Sequence, residues 1–212
     1  MKTSKIKVNS RGYGMEYALD EVEDFSRLMG FDERSARRAR LLAEETMSMV
    51  RAIVDEFSAN FWMESTPDCN CELHLQAEAP MDYDKKQELI SASTQQRNEA
   101  SVGIMGKIKD FIEDSLYNMQ DGASVAIGES QAMGMAGMVM NDIHMWSWSL
   151  EQYRQDVQEQ KKKGDDEAID DLLDELEKSI VANIADDVKV SVKGNNIEMI
   201  IRKNFLLNRD GQ

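Results

Sequence analysis

Three groups of side chains in this sequence have types and spacings that could do chemistry. Cys69, Cys71 and His74 are zinc-type ligands lying close together. The pattern around them argues against a shared ion. Over Cys71 to Ala79, residues Cys71, Leu73, Leu75, Ala77 and Ala79 fall on one face of a strand, and Glu72, His74, Gln76 and Glu78 on the other. Cys71 is therefore expected in the core and His74 in water, and no metal site is expected. The second group is Met133, Met135, Met138, Met140, His144 and Met145, whose thioether and imidazole groups suit Cu(I). With Trp146 and Trp148 just beyond, the same residues read better as apolar packing, or as a contact surface for a protein partner or a second copy of the chain. The third group is Glu44 and Glu45 beside Arg34, Arg37, Arg38 and Arg40, an acid/base pair with an anion patch or simply a solvated helix face. Neither histidine lies near a Ser/Asp pattern of the triad kind.

The elements that must position these groups are legible in outline. A short strand is expected over 5–9, followed by a Gly-containing turn at 11–14. Leu19, Val22, Phe25, Leu28 and Met29 recur at helical spacing over 17–29, with Gly30 as the stop. Asp32 is the expected N-cap of a long second helix, whose apolar stripe runs from Ala39 through Leu42, Ala43, Met47, Val50, Ile53 and Val54 to Phe57. Strands are expected over 60–65 and 71–79, and helices over 83–93 and 102–117, with a loop over 118–128. A Met-rich stretch over 133–150 reads as an apolar helix or an irregular segment, and 151–164 reads as polar, with a boundary at Lys161 to Gly164. An acidic amphipathic helix is expected over 165–185, then a hairpin turning at Gly194-Asn195-Asn196. This order predicts an α+β fold: a two-layer α/β sandwich whose mixed, mostly antiparallel sheet is covered on one face by helices. Residues 1–212 form one domain in this reading, with a helical insertion at about 118–170.

The element order, together with the run ARLLAEETMSMVRAIV over 39–54, resembles the histidine-kinase-like ATPases, most nearly their anti-sigma-factor serine kinase branch. The resemblance covers about 1–117 and 171–203 and includes the closing hairpin, which in that branch completes the sheet. It implies that Glu45 stands at the general-base position, with Ser48 and Met49 following. Met49 occupies the place of the family's Mg²⁺-binding Asn, and a thioether cannot replace that hard oxygen ligand. Ala77 stands where the family carries the adenine-binding Asp, and Ala79 and Met81 where it carries glycines, with Asp82 and Asp84 nearby but out of pattern. Gly103 and Gly106 are the weak counterparts of a phosphate-binding Gly-rich loop, although two lone glycines in a helical pattern more often mean close helix packing.

The resemblance thus implies a retained fold with an eroded nucleotide site. The expected function is a non-catalytic regulator acting by protein–protein binding, as anti-sigma proteins do, with no resident cofactor. Its alternative is an ATP- and Mg²⁺-dependent protein or serine kinase with an atypical site, so whether the chain is an enzyme stays open. Net charge bears on partners. A charge of −15 repels nucleic-acid phosphates and anionic lipid. No apolar run reaches the roughly 20 residues that span a bilayer. The basic start lacks the apolar segment of a signal peptide, so the cytoplasm is expected. Met133, Met135, Met138, Met140, Trp146 and Trp148 are the expected partner surface, and a homodimer is compatible with it.

Overall fold

A computed structural model of the chain describes residues 1–53, 57–66, 70–78, 104, 106–108, 110–112, 115, 138–141, 145–163, 167–193 and 195–205. Among them lie strands β1 (Ile6–Asn9), β2 (Ser58–Glu64), β3 (Cys71–Glu78), β4 (Met138–Asn141), β5 (Met145–Ser149), β6 (Asp187–Lys193) and β7 (Asn196–Lys203). The helices whose bounds are described are α1 (Met15–Leu28), α2 (Glu33–Ile53), α3 (Leu150–Lys163), α4 (Glu167–Lys178) and α5 (Ile180–Ile184), and the described residues between 104 and 115 are also helical, as expected there. The strands hydrogen-bond in the order β1-β2-β3-β7-β6-β5-β4, an α+β sandwich of the expected class. Two compact units divide the chain. The first takes 1–78, 184–188 and 198–212, the second 79–183 and 189–197.

In the first unit, local chemistry sets where each helix begins and ends. Gly14 enters α1 with φ 73°, and a Cβ there would stand 2.1 Å from the Lys7 carbonyl oxygen, so the close approach requires glycine. Ala18, Leu19, Val22, Phe25 and Ser26 form the buried stripe of α1. The helix stops as Gly30 turns to φ 81°, with the Gly30 N–H donating to Arg27 O and the Phe31 N–H to Ser26 O, the paired closure of a Schellman motif. Asp32 then caps α2: its Oδ1 accepts the Ser35 N–H at 2.6 Å. That same backbone N–H holds the Asp32 carboxyl below its ordinary range.

The two helices pack on each other, α1 against β1 and β2 and α2 against β3, so they cover one sheet face. Alternation supplies that face: Ile6 and Val8, Ala59, Phe61 and Met63, and Leu73, Leu75 and Ala77 are all buried. Registers Ile6↔Phe61 and Phe61↔Leu75 align these apolar residues across antiparallel strands.

The second unit departs from the sequence reading. The Met-rich stretch is neither helical nor irregular where it is described. Met138–Asn141 and Met145–Ser149 pair antiparallel, with Met138 opposite Trp148 and Met140 opposite Trp146. Residues assigned to a helical insertion therefore include a β-ribbon, which continues onto β6 through Trp148↔Val190. The polar stretch with its boundary at Lys161 to Gly164 is instead α3, because Leu150, Tyr153 and Val157 recur at helical spacing and are buried. The single acidic helix over 165–185 is two. Ser179 interrupts it, and its Oγ accepts the Ala182 N–H as an N-cap for α5. The expected helix at 83–93 and the loop at 118–128 lie outside the described residues. Among the described residues, no helix is long and apolar enough to cross a membrane.

Candidate functional site

The family-position residues are carried by α2 and β3 of the first unit. On α2, Glu44 and Ser48 are exposed and Glu45 is half-buried, whereas Met49 is completely buried. Ala77 of β3 is 1% exposed, on the sheet face that α2 covers. These two positions are thus a thioether and a methyl group inside the core. Gly106, in the second unit, is helical and buried, and Gly103 lies outside the described residues. Asp82, Asp84, Ala79, Met81, Cys69, Met133, Met135 and His144 also lie outside them.

The arginine cluster divides in two. Arg34, Arg37 and Arg38 are exposed, as a solvated face requires. Arg40 is a helix–helix tie. Its guanidinium reaches Asp20 at 2.7 Å, Glu16 at 2.8 Å and Glu23 at 3.4 Å on α1. Its pKa is raised further above the ordinary value, chiefly by the hydrogen bond to Asp20. Of the expected partner-surface residues, Trp148 is 2% exposed and tilts against Tyr153 with ring centroids 5.9 Å apart, so it is part of the core.

The other face of the first unit's sheet carries a cluster that sequence reasoning placed in water. Glu72 is 5% exposed and His74 is 7% exposed, so the expectation of a wet face fails for both. Strand pairing brings their partners together. Trp62 of β2 stands directly opposite His74, and the rings stack at 4.7 Å with their planes 4° apart. Lys5 Nζ lies 4.2 Å over the Trp62 ring from beyond. Arg202 of β7 donates from Nε and Nη2 to Glu72 Oε1 at 2.9 and 2.6 Å. Glu64 stands directly opposite Glu72, an arrangement of like charges that is destabilising unless a cation lies between them. His74 Nε2 is 3.3 Å from Glu64 Oε1 and 3.6 Å from Glu72 Oε2. These distances are those of an ion pair, yet neither ring nitrogen of His74 makes a hydrogen bond among the described residues. The Glu72 oxygen is too far for a hydrogen bond, and the Glu64 oxygen, though within reach, does not meet the geometry of one.

Sequence alternation could place Glu72 and His74 on one face, and did. It could not supply Trp62, Glu64 and Arg202, which reach the cluster only through strand pairing. The only sequence signal was a histidine and two acids spaced for one face, which exposed strands show routinely. Comparison with protein-family models, with curated proteins and with solved structures finds no match to this chain.

Proposed function

We propose that this chain is a cytoplasmic, non-catalytic regulator that works by binding another protein, built on a scaffold of the histidine-kinase-like ATPase type. The observation that carries this reading is the closed packing at Met49 and Ala77, which are 0% and 1% exposed on facing elements. A nucleotide at these positions would have to displace core side chains, and would find neither a hard ligand for Mg²⁺ nor an acceptor for the adenine amino group. The position of β7 beside β3 is further support, since the resemblance implies a C-terminal hairpin that completes the sheet. With Trp148 buried, α1 becomes a contact surface to weigh. Tyr17, Glu21, Asp24 and Leu28 follow one another along one side of that helix, and Tyr17 and Leu28 are 62% and 71% exposed.

Isothermal titration of the full chain with ATP, with and without Mg²⁺, tests the reading. No binding at millimolar nucleotide is expected. Micromolar, Mg²⁺-dependent binding would overturn it in favour of an atypical kinase with Glu45 as base. The binding half is tested by comparing proteins retained by the parent and by a Tyr17→Ala/Leu28→Ala variant. A specific partner lost from the variant is expected, and identical retention would remove α1 from the interface.

A further inference from the structure

On the second sheet face Glu64 and Glu72 stand directly opposite each other across the strand pair, with the His74 imidazole beside both, and Glu72 and His74 are more than nine-tenths buried. Like charges in that arrangement favour a cation between them. The orphaned imidazole indicates which kind. A tetrahedral ion held at about 2.0–2.1 Å by nitrogen and oxygen ligands keeps those atoms ~3.3 Å apart, each off the axis that a hydrogen bond would follow. His74 Nε2 and Glu64 Oε1 are 3.3 Å apart, His74 Nε2 and Glu72 Oε2 are 3.6 Å apart, and one ligand atom from each residue lies within 4.8 Å of the others.

We propose that Glu64, Glu72 and His74 form a binding site for one divalent ion of the zinc class. Imidazole with two carboxylates is a borderline donor set that suits Zn²⁺ better than Mg²⁺ or Ca²⁺, which take oxygen ligands. Arg202 acts as a positioning residue. Its fork occupies Glu72 Oε1 and leaves Oε2 turned to the imidazole, as partners of ligating carboxylates do. Trp62 stacks on the imidazole and fixes the ring plane. Glu64 is the entry side, because its side chain is 27% exposed while that of Glu72 is 6% exposed. Three protein ligands leave a fourth position for water or for a donor from a partner. This inference is independent of the nucleotide question, since it uses the opposite face of β3 from Ala77.

The test is titration of ZnCl₂ into chelator-treated full-length protein, read by calorimetry and by the visible absorption of Co²⁺ in place of Zn²⁺. Saturable binding of one ion per chain is expected. His74→Gln should abolish it, and Glu64→Gln should weaken it at least about tenfold. A Cys69→Ser/His144→Gln variant should bind as the parent does. If His74→Gln does not fold, Glu64→Gln decides the matter, because that change is isosteric and lies at the exposed edge. Two results would overturn the proposal. One is no saturable binding, which would leave His74 as a structural ring stacked on Trp62 beside two carboxylates. The other is equal affinity in the parent and Glu64→Gln, which would locate the ion elsewhere.

Discussion

The two faces of the first unit's sheet are buried for different reasons. Under α1 and α2, the residues Ala59, Phe61, Met63, Leu73, Leu75 and Ala77 exclude water by packing, and the buried hydroxyls of Ser26 and Thr46 are satisfied by carbonyls of their own helices. On the opposite face Trp62, Glu72 and His74 are buried to nearly the same degree, but their described contacts are a ring stack, a guanidinium fork and cross-strand carboxylates. Apolar burial tolerates neighbours of many shapes, whereas polar burial demands particular partners. The first face is therefore a scaffold, and the second is where a change of one atom matters.

This contrast can be broken or sharpened by substitution. The largest effect is expected from Phe61→Ala under the helices, a loss of about 4 kcal/mol in urea unfolding, from lost transfer energy and a cavity. Next comes Arg202→Met, which leaves Glu72 buried without its fork and should cost about 3 kcal/mol. The double variant Glu72→Gln/Arg202→Met should recover part of that loss, and a strictly additive double-mutant cycle would mean the two groups are not coupled. A smaller effect is expected from acid acting on the helical cover. Because the Asp32 carboxyl is held below its ordinary range, its capping contribution is complete above the unfolded value near about 4 and lost as pH falls through the lower folded value. Asp32→Asn keeps a cap without a titrating group, so its acid limb should be flatter than the parent's. The smallest change is expected from Gln76→Ala, at the exposed end of β3 on the second face, within about 0.5 kcal/mol. A larger loss there would extend the buried polar network further than Glu72 and His74.

The sequence made the scaffold legible wherever the signal was local. Gly30 and Asp32 marked the boundary between the first two helices, and the period-two pattern of 71–79 identified the core face of β3. It failed where burial depends on distant partners. His74 needs Trp62 across a strand pair, and Glu72 needs Arg202, which is 130 positions away. The ribbon at β4 and β5 was missed for a different reason. Trp146-Ser147-Trp148-Ser149 alternates with period two, but the methionines and glycines before it drew attention to bulk composition. α3 was missed because its three buried positions, Leu150, Tyr153 and Val157, are sparse among charged residues. Met49 and Ala77 were expected only as positions in a resemblance, and what the fold adds is that both side chains are buried.

The strand order has a consequence for how the chain is made. β3 is synthesised early, yet β7, which pairs beside it, comes more than a hundred residues later. Asn70, just before β3, is likewise fastened to Asn204 and Phe205: its N–H donates to Asn204 Oδ1, its Nδ2 to Phe205 O, and its Oδ1 accepts the Phe205 N–H. A nascent chain on the ribosome therefore carries β1, β2 and β3 with the β3 edge unpaired until residues 196–205 emerge. The carboxylate of Glu72 waits through that interval without its guanidinium. Completion of this sheet is a late event of high contact order, and the interval before it is when the chain is most exposed to mispairing with a neighbour.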